Sequence, residues 1–213
     1  MQTVIFDLDG TLVDSAPDIR ASVNVMLAEE GFPPLEIVTV ISFVGNGLPT
    51  LVKLVMAHVG IAESEFSRLS ARVLAIYSTS ASTLTVTYDG VRDVLDELTA
   101  KGLRLGVCTN KPEEPARHVL EALNLTQYFD TVVGGDTFEK RKPDPLPLLK
   151  TIGETALSNV LYVGDSEVDA ETAQRAGVTF AFFTEGYRKM PVDDIHHDIR
   201  FSKWCDFLKI IGE

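Results

Sequence analysis

The chain has 213 residues, 45% of them apolar and 23% charged; this is an ordinary globular composition, too apolar for intrinsic disorder. A chain of this size is one large domain, or one domain with a sub-domain-sized insertion, and buries roughly 70% of its unfolded surface without disulfides or a structural metal. Thirty-one acidic against nineteen basic residues give a net charge of −12, which repels phosphate backbones and argues against nucleic acid as a partner.

Two distant cysteines, Cys108 and Cys205, make no disulfide framework and suit a reducing compartment. No apolar run of about 18 residues occurs, so no membrane span is expected. The strand-like run starting at Thr3 leaves no room for a leader. The expectation is a cytoplasmic protein.

In chain order, Thr3-Val4-Ile5-Phe6 reads as a buried strand. No convincing core strand follows before Val91. The intervening segment reads instead as helices over Ala16–Glu30, Leu48–Val59 and Glu63–Ser78, broken by Gly31-Phe32-Pro33-Pro34 and Gly45-Asn46-Gly47. Ser15 is the expected N-cap of the first, with Pro17 in its opening turn and Asp18 complementing the dipole. Such an all-helical insertion is too long for a loop and reads as a second unit. The expected division is 1–15 and 85–213 for the core and 16–84 for the helical insertion.

Beyond it, strands and helices alternate. Strands are expected at Leu103–Cys108, Thr131–Val133, Asn159–Val163 and Val178–Phe183, and helices at Val91–Ala100, Glu113–Leu123, Pro145–Ile152 and Val168–Ala176. Gly102 and Gly177 stand just past two helices, where a left-handed cap is wanted. Phe180, Phe182 and Phe183 read as core, and Phe201, Trp204, Phe207 and Leu208 as a terminal helix docked on the sheet. This rhythm predicts an α/β fold, a Rossmann-like parallel sheet covered on both faces.

Four polar clusters follow the strands, at the edge where open α/β sheets place their sites. They are Asp7-Leu8-Asp9-Gly10-Thr11, Thr109-Asn110-Lys111, Lys140-Arg141-Lys142-Pro143 and Gly164-Asp165-Ser166-Glu167-Val168-Asp169. Asp7 and Asp9, two residues apart at a strand end, can point at one site. Their repulsion must be relieved by a cation or a retained proton. Asp165 supplies a third oxygen ligand if its strand lies beside the first, and hard oxygen ligands suit Mg²⁺. Lys142 can offset charge on an anionic substrate, and Thr109 and Asn110 offer neutral donors. A metal, a cation, donors and a carboxylate nucleophile are the inventory of phosphoryl transfer.

Other reactive-looking residues have simpler readings. No phosphate-cradling Cys-x5-Arg loop follows Cys108, which reads as strand filler. His196 and His197 lack a third ligand and read as surface, and His58 and His118 as partly exposed helix residues.

Asp7-Leu8-Asp9-Gly10-Thr11 resembles the first motif of the haloacid dehalogenase superfamily in its phosphatase branch. Thr109, Lys142-Pro143 and Gly164-Asp165-x-x-x-Asp169 match its second, third and fourth motifs in order. The resemblance spans the chain and includes a helical cap inserted after the first motif. It implies that Asp7 attacks phosphorus and that Asp9 is the general acid and base. It further implies that Asp7, the Asp9 backbone carbonyl and Asp165 hold Mg²⁺, that Thr109 binds the phosphoryl group, and that Lys142 bridges Asp7 and phosphate. Asp169 would act near the metal shell, directly or through water, with Ser166 beside it.

Within the superfamily, the stretch from Asp7 to Asp18, the segment Val44-Gly45-Asn46-Gly47 and, more loosely, Glu185-Gly186-Tyr187 are similar to those of bacterial phosphoglycolate phosphatases. The chain departs after Tyr187, where Arg188-Lys189 replaces an Asn-containing continuation. The resemblance implies an Mg²⁺-dependent phosphomonoester hydrolase that forms an aspartyl phosphate, monomeric or homodimeric, with 2-phosphoglycolate as substrate. The alternatives are another small phosphorylated metabolite, or sugar phosphomutase chemistry. Gly45-Asn46-Gly47 is the candidate loop for the leaving group, and Arg20 a candidate partner for its carboxylate. A phospho-acceptor receiver module is the non-enzymatic alternative, but its acceptor would follow the third strand and it carries no helical insertion.

Overall fold

The computed structural model describes residues 1–80 and 83–211. The apolar runs form strands in one six-stranded, all-parallel sheet of order β5-β4-β1-β6-β7-β8. These strands are β1 (Thr3–Phe6), β4 (Arg104–Cys108), β5 (Thr131–Val133), β6 (Val160–Gly164), β7 (Thr179–Phe183) and β8 (Ile199–Phe201). Side chains alternate across a strand, and β1 shows it: Val4 and Phe6 join one apolar cluster and Ile5 the other. The helices α5 (Val91–Ala100), α6 (Glu113–Ala122), α7 (Leu146–Ile152), α8 (Glu167–Ala176) and α9 (Trp204–Ile211) cover the sheet. Trp204 of α9 is buried against Phe6, Phe183, Phe201 and Phe207, at ring separations of 5.1 to 6.1 Å.

Register places the site. Phe6 stands level with Val107 on one side and Val163 on the other. The residues that follow therefore leave the sheet at one carboxyl edge, which brings Asp7, Thr109 and Asp165 together.

Between β1 and α5 lie α1 (Ala16–Glu29), α2 (Ile37–Ile41), α3 (Leu48–Val59) and α4 (Phe66–Ser80). Helix α1 packs on α2 and α4, and α3 on α4. Four details differ from the sequence reading. Helix α2 was not expected, because Ile37-Val38-Thr39-Val40-Ile41 is a run of β-branched residues with poor helix propensity; only Val40 is buried. The third expected helix begins as a 3₁₀ turn over Glu63–Glu65. A short antiparallel ribbon joins β2 (Val13–Asp14) to β3 (Val86–Thr87) where the chain leaves and re-enters the core. The sixth strand, β8, is too short to show a period.

Asp18 fastens this crossing. Its buried carboxylate accepts hydrogen bonds from the backbone N–H of Leu84 and of Thr85 and from the Thr85 hydroxyl, at 2.6 to 3.1 Å. Asp18→Ala strands these donors, at a cost of about 1–3 kcal/mol. The urea midpoint should fall by the corresponding amount, and an unchanged midpoint would show that water replaces the carboxylate.

Candidate active site

Asp7 follows β1 directly, its N–H donating to the Val163 carbonyl at 2.9 Å. Asp165 follows β6, and Asp169 lies one helical turn further on, in the first turn of α8. One carboxylate oxygen from each of Asp7, Asp165 and Asp169 falls within 4.8 Å of the others, and all three residues are buried. Lys142 enters this group, with Nζ 3.0 Å from Asp7 Oδ1 and 2.7 Å from Asp169 Oδ1.

Each acid is held differently. Asp169 Oδ1 accepts from Lys142 and from the Tyr162 hydroxyl at 2.7 Å, and Oδ2 accepts from the Ser166 hydroxyl at 2.7 Å and its N–H at 3.2 Å. Burial acts to raise the Asp169 pKa, but Lys142 and these donors hold it below the usual carboxylate value. Its oxygens are committed to orienting Lys142 and closing the N-terminus of α8. Asp165 accepts from Thr11 Oγ1 at 2.7 Å and from the Tyr187 N–H at 2.6 Å. Burial, with Asp169 and Asp7 nearby, pushes it well above the usual value. Burial likewise lifts Asp7 to about 6 against the pull of Lys142. Lys142 stands off hydrogen-bonding direction from Asp7, leaving Oδ1 buried without a hydrogen-bond partner.

Three acids around one lysine leave an excess of negative charge, and an oxygen lacking a donor faces it. The group holds no His or Cys. That donor set fits a hard divalent cation.

Asp9 points elsewhere. Its carboxylate accepts from Ser15 Oγ at 2.6 Å and from Lys111 Nζ at 2.8 and 3.1 Å. The side chain is thus outside the acidic group, and any share it takes in a metal site falls to its backbone carbonyl. Ser15 does stand at the N-cap of α1, but its hydroxyl serves Asp9 and makes no cap bond. The first helical N–H, that of Ala16, donates instead to the Tyr187 hydroxyl, which in turn donates to Asp14.

A cleft of about 570 Å³, partly open to solvent, lies between this edge and the helices. Asp7, Asp9, Thr109, Asn110 and Lys111 line it from the core, and Gly45, Gly47 and Tyr77 from the helical side. Asn46 is not among the lining residues. Asn110 donates through Nδ2 to the carbonyls of Gly45 and Lys142, both at 3.0 Å, and so ties the glycine loop to the core. Arg20 is excluded from the site: it donates to the Leu35 carbonyl at 2.9 Å, faces Glu36 and does not line the cleft. Cys108 is buried, its thiol pushed up to about 12 by desolvation, and His58 and His118 are exposed.

Lys111, Tyr77, Tyr162 and Tyr187 are the participants the sequence reading left without a role. Lys111 sat inside a recognised cluster, next to Asn110. Tyr162 looked like strand core, and its hydroxyl shows no sequence signal. Tyr77 lies in α4, and nothing local links it to a residue 34 positions away.

The matches to known proteins agree with this geometry. The profile of the haloacid dehalogenase-like hydrolase family matches residues 4–183, and the chain belongs to that family. It is 48% identical over 204 residues to the phosphoglycolate phosphatase of Cereibacter sphaeroides, covering 95% of this chain and 94% of the relative. It is 40% identical to that of Rhodobacter capsulatus, covering 98% and 94%. Its fold matches the crystal structure of a predicted phosphoglycolate phosphatase of Haemophilus somnus with a TM-score of 0.94, at 30% identity and covering 99% and 98% of the two chains. These relatives make the chain an enzyme of the phosphatase kind.

Glycines make room for Asp165. A Cβ on Gly186 would stand 2.3 Å from Asp165 Cβ and 2.4 Å from the Gly10 carbonyl oxygen. Gly186→Ala should therefore lower the unfolding free energy by about 1–3 kcal/mol through overpacking. Urea denaturation checks this, and an unshifted midpoint would show that the loop yields freely.

Proposed function

We propose that the protein is an Mg²⁺-dependent phosphomonoesterase that works through an aspartyl phosphate on Asp7, with 2-phosphoglycolate as substrate. One observation carries the reading. Asp7 and Asp9 share a single turn and line the same cleft, yet Asp7 faces Lys142 and the acidic group, while Asp9 faces Ser15, Lys111 and the helical wall. Two carboxylates in different surroundings suit two roles.

In the first step an Asp7 oxygen forms a bond to phosphorus and the bond from phosphorus to the bridging oxygen breaks. Asp9, protonated for this step, gives its proton to the leaving alkoxide, and Ser15 and Lys111 then hold its carboxylate. In the second step Asp9 removes a proton from water, the water oxygen bonds to phosphorus, and the Asp7–phosphorus bond breaks. Inorganic phosphate leaves and Asp7 is restored. Thr109 donates to a phosphoryl oxygen, and Lys142, fixed by Asp169 and Tyr162, offsets charge on Asp7 and phosphate. Asp7, Asp165 and the Asp9 backbone carbonyl would hold Mg²⁺, which supplies further positive charge to the phosphoryl group when bound. Asp169 and Ser166 stand behind these ligands.

Residues 16–84 act as a cap over the leaving group, with Gly45 and Gly47 letting the backbone approach it closely. The relatives' names support 2-phosphoglycolate. No helix among the described residues is long and apolar enough to cross a membrane. Both cysteines are free thiols, which suits a cytoplasmic enzyme acting on a small metabolite.

Release of inorganic phosphate from 2-phosphoglycolate tests the reading. Turnover should require Mg²⁺, disappear in excess chelator and return when Mg²⁺ is restored; undiminished release after chelation and desalting would refute the metal assignment. Asp7→Asn should show no multiple turnover, whereas Asp9→Asn should lose on the order of 10²–10⁴-fold in kcat. Sustained turnover by Asp7→Asn, with deamidation to Asp excluded by mass spectrometry, would overturn the nucleophile.

A further inference from the structure

The groups assigned to phosphate all lie on the core side of the cleft. The wall facing them is largely apolar, built from Ile19, Val44, Leu48, Leu51 and Leu74. Lys111 is the one basic residue lining the cleft among the described residues. Its side chain is only 4% exposed, and its Nζ reaches both Asp9 oxygens and the Tyr77 hydroxyl. A buried ammonium so placed is costly unless it has partners. Tyr77 and Asp9 provide them through three bonds, and because Lys111 lines the cleft a ligand carboxylate can take over one of these.

Position gives this cation its meaning. Asp9 protonates the bridging oxygen of the ester, so Lys111, in contact with Asp9, sits beside the alcohol carbon. In 2-phosphoglycolate one methylene separates that oxygen from the carboxylate. We propose that Lys111 binds the carboxylate of the leaving group and makes the enzyme selective for phosphate esters of short 2-hydroxy acids. This rests on the phosphatase reading and deepens it. A carboxylate gains a charge-assisted hydrogen bond from Lys111 in surroundings of low polarity. A neutral alcohol gains less, because the other wall residues offer it mainly apolar contact.

The test compares 2-phosphoglycolate with 2-hydroxyethyl phosphate, in which a hydroxymethyl group replaces the carboxylate, in the unaltered protein and in Lys111→Gln. The unaltered enzyme should have the higher kcat/KM for the carboxylate ester. Lys111→Gln should shrink the ratio of the two values by on the order of 10- to 100-fold, the worth of one hydrogen bond to a charged group, beyond any loss both esters share from disturbing Asp9. An unchanged ratio, with both esters falling equally, would overturn the assignment and leave Lys111 as a support for Asp9. Equal values for the two esters in the unaltered enzyme would overturn it without recourse to the variant. Absence of phosphate release from both esters would overturn 2-phosphoglycolate as the substrate and this assignment together.

Discussion

Three buried carboxylates gathered at the end of a parallel sheet, two of them paired with one lysine, set the terms for the rest of the molecule. Like charges out of water repel strongly, and the fold must hold them together by geometry. It does so through strand register, which delivers Asp7 and Asp165 to one edge, and through donors that occupy Asp169 and Asp165 on every side away from the site. Gly186 and Gly10 contribute by their lack of side chains, letting the backbone close around Asp165. Left without a hydrogen bond at the cleft are Asp7 Oδ1, which has only the Lys142 ammonium 3.0 Å away, and Asn110 Oδ1. The conflict is thus confined to the place where a cation and a phosphoryl group are useful, and the surrounding structure is over-determined so that it persists.

The sheet and the gathering of acidic residues at its edge were legible in the sequence because both depend on local signals. A buried parallel strand is a short apolar run, and a site residue at its end is a polar break directly after it; Thr3–Phe6 followed by Asp7 shows both at once. Helix α2 and strand β8 lacked such signals, the first because β-branched residues blur helix with strand, the second because three residues carry no period. Ser15 was legible as a cap position but not in its use, since its hydroxyl turns to Asp9 only once the β1 turn has folded back beside α1. Arg20 shows the opposite error. A cation near the right part of the chain looked available for a substrate carboxylate, but helix geometry turns it to the Leu35 carbonyl and Glu36. Contacts between distant segments, such as Lys111 with Tyr77, have no counterpart in spacing.

The two ends of the cleft follow different rules. Beside the acidic group the polar side chains are core-borne, and Lys142 and Asp169 are fixed by their neighbours. The end toward the glycine loop is shared between core and helices, and its polar contacts are few. Tyr187 helps to couple the two. Its N–H holds Asp165, while its hydroxyl receives the first N–H of α1 and donates to Asp14 in the ribbon that leads to the helices. Position of Asp165 and position of the first helix therefore depend on one residue.

The loop after β4 completes that coupling from the other side. Thr109, Asn110 and Lys111 are consecutive, yet they face cleft, glycine loop and helix α4 in turn: Thr109 lines the cleft at the strand end, Asn110 donates to the Gly45 carbonyl, and Lys111 to the Tyr77 hydroxyl. Separation of the helices from the core must break the Asn110 and Lys111 contacts together, because both donors ride on the same short segment, fixed at one end by the Thr109 N–H bond to Val133. Asn110 also binds the Lys142 carbonyl, so the loop that meets the helices is anchored to the residue paired with Asp7 and Asp169. The contact of the helices with this loop and the placing of the Lys142 ammonium beside Asp7 consequently rest on three adjacent residues.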